Sequence, residues 1–121
     1  MKVAVSSVGD TLDSAVDPRF GRAAQFLLVD TDSGEHQLIS NAQNLNAAQG
    51  AGIQAAQTVA ELGVDAVLTG HCGPKAFATL SAAEVTIFPG ASGVTVAEAV
   101  EKYKSGTLTA ASNADVDGHW V

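Results

Sequence analysis

The second half of the chain alternates helix-like and strand-like segments at short spacing, and this constrains the fold more than any other feature. Residues 50–62 carry Ile53, Ala56, Val59 and Ala60 at helical intervals and stop at Gly63. Val64 to Thr69 is a short apolar, β-branched run that reads as a buried strand. Lys75 to Ala83 reads as a second helix, Val85 to Phe88 as a strand, and Val94 to Tyr103 as a third helix. Units this compact require right-handed crossovers and parallel strands.

The first half has a different rhythm. Lys2 to Ser7, Ala24 to Thr31 and His36 to Asn41 read as strands, the last two joined by a hairpin turn at Asp32-Ser33-Gly34-Glu35. These three are expected to be antiparallel neighbours. Joined to the second half they give a single α/β domain. Its five-stranded mixed sheet has strands one to three antiparallel, strands one, four and five parallel, and three helices on its faces. A chain of 121 residues supports one such core. Residues 1–104 are assigned to the domain and the small, polar residues 105–121 to a C-terminal tail.

Charge removes some functions. Six Lys and Arg stand against thirteen Asp and Glu, a net charge of −7. That argues against nucleic acid, whose binding rests on neutralising phosphates. No apolar run reaches the roughly 18 residues of a membrane span. Strand one begins at once, without the long apolar segment of a secretory signal. The single cysteine cannot form an internal disulfide and suits a reducing compartment. A cytoplasmic protein is expected.

The chemistry gathers at Thr69-Gly70-His71-Cys72-Gly73-Pro74-Lys75-Ala76-Phe77, where strand four gives way to helix two. Pro74 suits a first helical position, where a missing N–H is harmless. Amides at such a turn, aided by the helix dipole, attract anions. Ligands of these sheets bind beyond the carboxyl ends of the parallel strands, where strand order reverses. That rule brings three segments to one edge: Ser6-Ser7 with the loop Val8–Gly21, His71–Lys75, and the loop Pro89–Gly93. The chain's only two arginines, Arg19 and Arg22, flank Phe20-Gly21 there. In an acidic protein this placement suits an anion; the plainer reading is a surface pair bonded to Asp13 or Asp17.

Several reactions fail on residues. Strand one (Val3-Ala4-Val5-Ser6-Ser7) has no carboxylate to hold the two metal ions of a nuclease. No GxxxxGK[ST] element exists for a P-loop. Cys72 and His71 are adjacent, so their side chains diverge rather than forming a thiol dyad. Cys72 is a soft donor whose pKa loop amides would lower, and His71 is a second candidate ligand. Two protein donors are too few for a closed tetrahedral site. A cluster arriving with its own sulfides instead needs positive charge and N–H donors, which Arg19, Arg22, Lys75 and the loop amides supply. Phe20 would wall such a site or fill the core, and Asn44 would add a polar contact. His36 is expected at the surface, and His119-Trp120 in a contact with a partner or a metal or, more plainly, in a disordered end.

Four segments together resemble a known family: Asp17–Arg22, Gly50–Ala56, Val64–Gly70 and Gly73–Phe77. They are similar to the dinitrogenase iron–molybdenum cofactor biosynthesis family, the NifX-like group, from about Val3 to Lys104. The resemblance implies a ribonuclease-H-like sheet of five strands and a non-enzymatic role: binding a metal–sulfur cluster or its precursor and passing it to cluster-assembly proteins. Small stand-alone members include one that carries a molybdenum–copper sulfide cluster. A molybdenum-containing sulfide cluster, with or without copper, or a thiomolybdate-like anion is therefore the implied cargo, with a folded apo protein. The site would comprise Arg19, Phe20, Gly21, Arg22, Asn44, His71, Gly73, Pro74 and Lys75, with Cys72 and His71 as candidate metal ligands. The alternative is a metal-free interaction or regulatory module for assembly proteins, which would tolerate loss of Cys72 and His71.

Overall fold

Successive residues of the first strand point into two separate cores, which makes it the centre of the sheet. The computed structural model describes residues 1–41 and 51–111. Strand β1 (Lys2–Ser7) pairs antiparallel with β2 (Gln25–Asp30), and β2 antiparallel with β3 (His36–Ser40). On its other side β1 pairs parallel with β4 (Ala66–Leu68), and β4 with β5 (Thr86–Phe88). The order β3-β2-β1-β4-β5 is the expected mixed sheet, with its reversal of direction at β1.

Helices α1 (Ala51–Glu61) and α2 (Pro74–Ala82) cover one face and α3 (Val96–Lys104) the other. Ala4, Phe26, Val67 and Ile87 pack with Ala55, Ala56 and Val59 of α1 and Ala76 and Leu80 of α2. Val3, Val5, Leu27, Val29 and Leu68 pack with Val96, Ala99 and Val100 of α3. The split follows from the two-residue period of a strand. Small residues let α1 and α2 approach closely: a Cβ on Gly52 would lie 3.6 Å from that of Ala76.

Helix α3 satisfies its own ends. Thr95 Oγ1 accepts from the Glu98 N–H at 3.2 Å, and Glu98 accepts from the Thr95 N–H at 3.0 Å. Lys102 and Lys104 occupy its last turn, opposite the negative end of the dipole. The Thr95 N–H holds the Glu98 carboxyl below its ordinary value, so this cap is intact at neutral pH and weakens as pH falls.

Strands four and five are shorter than the sequence predicts, although their hydrogen bonds run on. Asp65 N–H donates to Lys2 O at 2.8 Å and Thr69 N–H to Phe88 O at 3.2 Å, beyond the regular segments. Of the polar tail, residues 105–111 lie against the domain. Leu108 packs on the second core, and Ala111 N–H donates to Ile87 O at 2.9 Å. His119 and Trp120 lie outside the described residues, as does Asn44. Among the described residues no helix is long and apolar enough to cross a membrane.

The exit from α2 stores strain. Glu84 has φ of 62°, a left-handed conformation that costs a side-chain-bearing residue roughly 1 kcal/mol or more. Glu84→Gly is expected to raise the unfolding free energy by about 0.5–1 kcal/mol, read from the urea midpoint at unchanged m-value.

Candidate functional site

The site edge is built on a buried polar knot where β1 and β4 end. Ser6 and Thr69 are both fully buried. Ser6 Oγ lies 2.8 Å from Asp17 O and 2.7 Å from Thr69 Oγ1. A hydroxyl has one proton, so Ser6 donates to the Asp17 carbonyl and accepts from Thr69. Asp17 N–H returns a bond to Ser6 O at 2.8 Å. The Arg19 loop is thus fastened to two adjacent strand ends.

Loop meets loop just beyond the knot. Arg19 and His71 form a parallel bridge, with Phe20 N–H donating to His71 O at 3.1 Å. A Cβ on Gly70 would stand 2.6 Å from Pro18 O and 2.7 Å from Pro18 Cα, so only glycine lets these backbones touch. Gly90 N–H donates to Gly70 O and Ala91 N–H to Thr69 O, both at 2.9 Å. Val16 N–H reaches Val94 O at 3.0 Å. The three loops expected at one edge do converge there.

The predicted residues divide by exposure. Arg19, Arg22, Pro74 and Lys75 are exposed, and His71 is half-buried. Gly21 and Gly73 are buried, Gly73 as the residue that caps α2. Phe20 is fully buried, its ring centroid 5.1 Å from that of Phe26, so the ring fills the core beneath the loop. Cys72 is 1 % exposed and belongs to the same core cluster, its Sγ 3.7 Å from Gly73 O.

Asn41 is a residue that sequence reasoning missed. It is fully buried; its Nδ2 donates to Ala23 O at 2.8 Å and its N–H to Ala24 O at 3.0 Å. It fixes the segment directly after Arg22. The available signal was an amide at the end of a strand, where a side chain can serve a neighbouring backbone. The Ser6–Thr69 knot carried even less signal, since its members stand 63 positions apart.

Electrostatics separate this edge from the rest of the molecule. The first turn of α1 and that of α2 contain no acidic residue, and α2 has no side-chain cap. Gly52 lies so near Ala76 that a Cβ on it would stand 3.6 Å from that of Ala76, which puts these two positive helix ends side by side. Among the described residues nothing accepts from the N–H groups of Lys75 and Ala76. In α3, by contrast, every first-turn amide is bonded: Val96 N–H to Ser14 O and Ala97 N–H to Leu12 O supplement the cap. Nor do Arg19, Arg22 or Lys75 pair with a carboxylate among the described residues. Asp17 accepts the Arg19 backbone N–H at 3.0 Å instead of the guanidinium. No group of three or more His, Cys, Asp or Glu side chains gathers, among the described residues, to hold a bare metal ion. Such an edge can bind an anion that brings its own metal coordination.

Comparison with known proteins shows the fold and the family. The apo form of the orange protein from Desulfovibrio gigas is 39 % identical, with a TM-score of 0.93 over 95 % of this chain and 96 % of that one. A NifB-like protein from Thermotoga, solved by NMR, is 34 % identical, with a TM-score of 0.82 over 97 % and 98 % of the two chains. A curated Methanocaldococcus jannaschii protein of unassigned function is 26 % identical over 89 % of this chain and 93 % of its own. Residues 1–106 match the family described as dinitrogenase iron-molybdenum cofactor, and the chain is a member of that family.

Proposed function

We propose that this protein is a non-enzymatic, cytoplasmic carrier or scaffold for an anionic, molybdenum-containing metal–sulfur cluster, held for transfer to cluster-assembly proteins. One observation carries the reading. Among the described residues, the first turns of two adjoining helices carry no carboxylate and three cations at the same edge, Arg19, Arg22 and Lys75, pair with none, in a chain of net charge −7. The protein satisfies the α3 N-terminus itself, whereas the first turn of α2 keeps two amides unbonded among the described residues, a place for a negatively charged ligand. Family membership and the likeness to the orange protein support a cofactor-related role.

The residues divide the work. Arg19, Arg22 and Lys75 would supply charge, and the Lys75 and Ala76 amides would supply fixed donors to sulfide or oxide. His71 stands between the loops as a further polar contact or ligand. Cys72 can reach a soft metal such as copper only if its loop opens, because its thiol lies in the core. Both cores close without any ligand, so the apo protein is expected to be folded.

Anaerobic titration of apo protein with tetrathiomolybdate, with and without copper(I), followed by desalting and metal analysis, tests this. Stoichiometric molybdenum that survives desalting and shows a charge-transfer band is the expected result, and the copper arm decides whether the cargo is mixed. If all metal washes through at low salt from folded protein, the carrier reading falls and the metal-free module for assembly proteins replaces it.

A further inference from the structure

The two edges of the sheet are treated differently. At β5 the chain covers its own edge, with Ala111 N–H bonded to Ile87 O at 2.9 Å. At β3 no described segment does the same. His36, Gln37, Leu38 and Ser40 are exposed, and Leu38 keeps 46 % of its surface. Natural sheets blunt an open edge with lysine, proline or a bulge. His36-Gln37-Leu38-Ile39-Ser40 has no charge and no proline, and its pairing with β2 is unbroken from Ser40 to His36.

The hydrogen-bond register shows which groups face outward. Asn41 N–H bonds to Ala24 O and Asp30 N–H to Glu35 O. In an antiparallel pair bonded positions alternate, so Gln37 and Ile39 bond inward to β2 while the N–H and C=O of His36 and Leu38 point to the open side. Its surroundings are acidic. Asp30, Asp32 and Glu35 sit in or beside the hairpin; Asp32 pairs with the Met1 amine at 2.9 Å and Asp30 stands opposite Lys2, which leaves Glu35 as the exposed carboxylate next to β3. Strand β3 runs parallel to β1, so its Ser40 end lies at the same sheet edge as Ser7 and the anion site.

We propose that the 36–38 stretch of β3, uncovered among the described residues, is a docking strand that accepts, by strand addition, an extended segment of a partner protein with alternating apolar residues and basic flanks. Main-chain bonds to His36 and Leu38 would hold the segment, Leu38 would give it an apolar contact, and Glu35 beside the strand would select its positive charge. A strand laid there runs from the acidic hairpin toward the site edge, which would bring a partner beside the cargo. Docking itself does not depend on what the cargo is.

The test uses the full chain and the synthetic peptide acetyl-Lys-Thr-Val-Thr-Val-Lys-amide, read by amide hydrogen exchange. At a peptide concentration ten times its Kd, exchange at Leu38 and His36 is expected to slow by about tenfold, while amides of β1 and β4 stay unchanged. The analogue with glutamate in place of lysine is expected to bind more weakly, and added salt to weaken the basic peptide. Leu38→Pro removes the outward N–H and the leucine side chain at an edge position, so the fold should persist while peptide-dependent protection at the His36 amide is lost. Unchanged exchange at Leu38 in millimolar peptide overturns the proposal. So does protection at Leu38 that grows with protein concentration alone, which would give this edge to a second copy of the chain.

Discussion

Gly70→Ala is expected to lower stability by about 2–3 kcal/mol and to pull apart the two loops that form the site. The added methyl would stand 2.6 Å, 2.7 Å and 3.0 Å from Pro18 O, Cα and C, all of them backbone atoms. No rotamer change relieves such a clash; the chain itself has to move. The neighbouring bonds Phe20 N–H to His71 O and Gly90 N–H to Gly70 O would lengthen with it. The urea midpoint should fall, with a drop of about 10 °C or more in Tm. Tetrathiomolybdate affinity should fall as well, under conditions where circular dichroism shows the variant folded. Gly34→Ala serves as a comparison, because its site has open space around the Cβ and only the φ of 79° resists.

Phe20→Ala is expected to cost more, about 3–5 kcal/mol. The ring is fully buried beneath the loop and packs on Phe26 with an interplanar angle of 40°. Its removal leaves a cavity directly under Arg19 and Arg22, where backbone bonds alone cannot hold the loop closed. Phe20→Leu should recover a large part of the loss, since it refills most of the volume. Denaturant unfolding monitored by far-ultraviolet circular dichroism measures both variants. If Phe20→Ala loses affinity for the anion with stability unchanged, the ring lies in the ligand's path and the core placement is wrong.

The sequence carried the sheet legibly because the relevant signals are local. Alternation in Lys2–Ser7, the Asp32–Glu35 turn, and the helical spacing of Ile53, Ala56 and Val59 each lie within one segment. Convergence of three loops was legible from topology, since β1 is where strand direction reverses. What could not be read was how the loops are locked. Ser6 and Thr69 meet across 63 residues, and Gly70 is required by Pro18, a residue far upstream. Side-chain direction was equally hidden. Phe20 and Cys72 sit in site motifs, yet both turn inward, because the edge above them is polar and the core below lacks bulk without them. The two arginines, by contrast, find no carboxylate among the described residues, although Asp17 is two positions from Arg19.

Anaerobic binding of tetrathiomolybdate to the Arg22→Ala/Lys75→Ala variant, compared with wild type, tests the anion edge most directly. Both side chains are exposed and unpaired among the described residues, so their removal should leave the fold intact. Loss of two charge-assisted contacts should weaken binding by about 10²- to 10³-fold and flatten its salt dependence. Equal affinity in the two proteins, with the same response to salt, would contradict the assignment of the cargo to the paired helix N-termini.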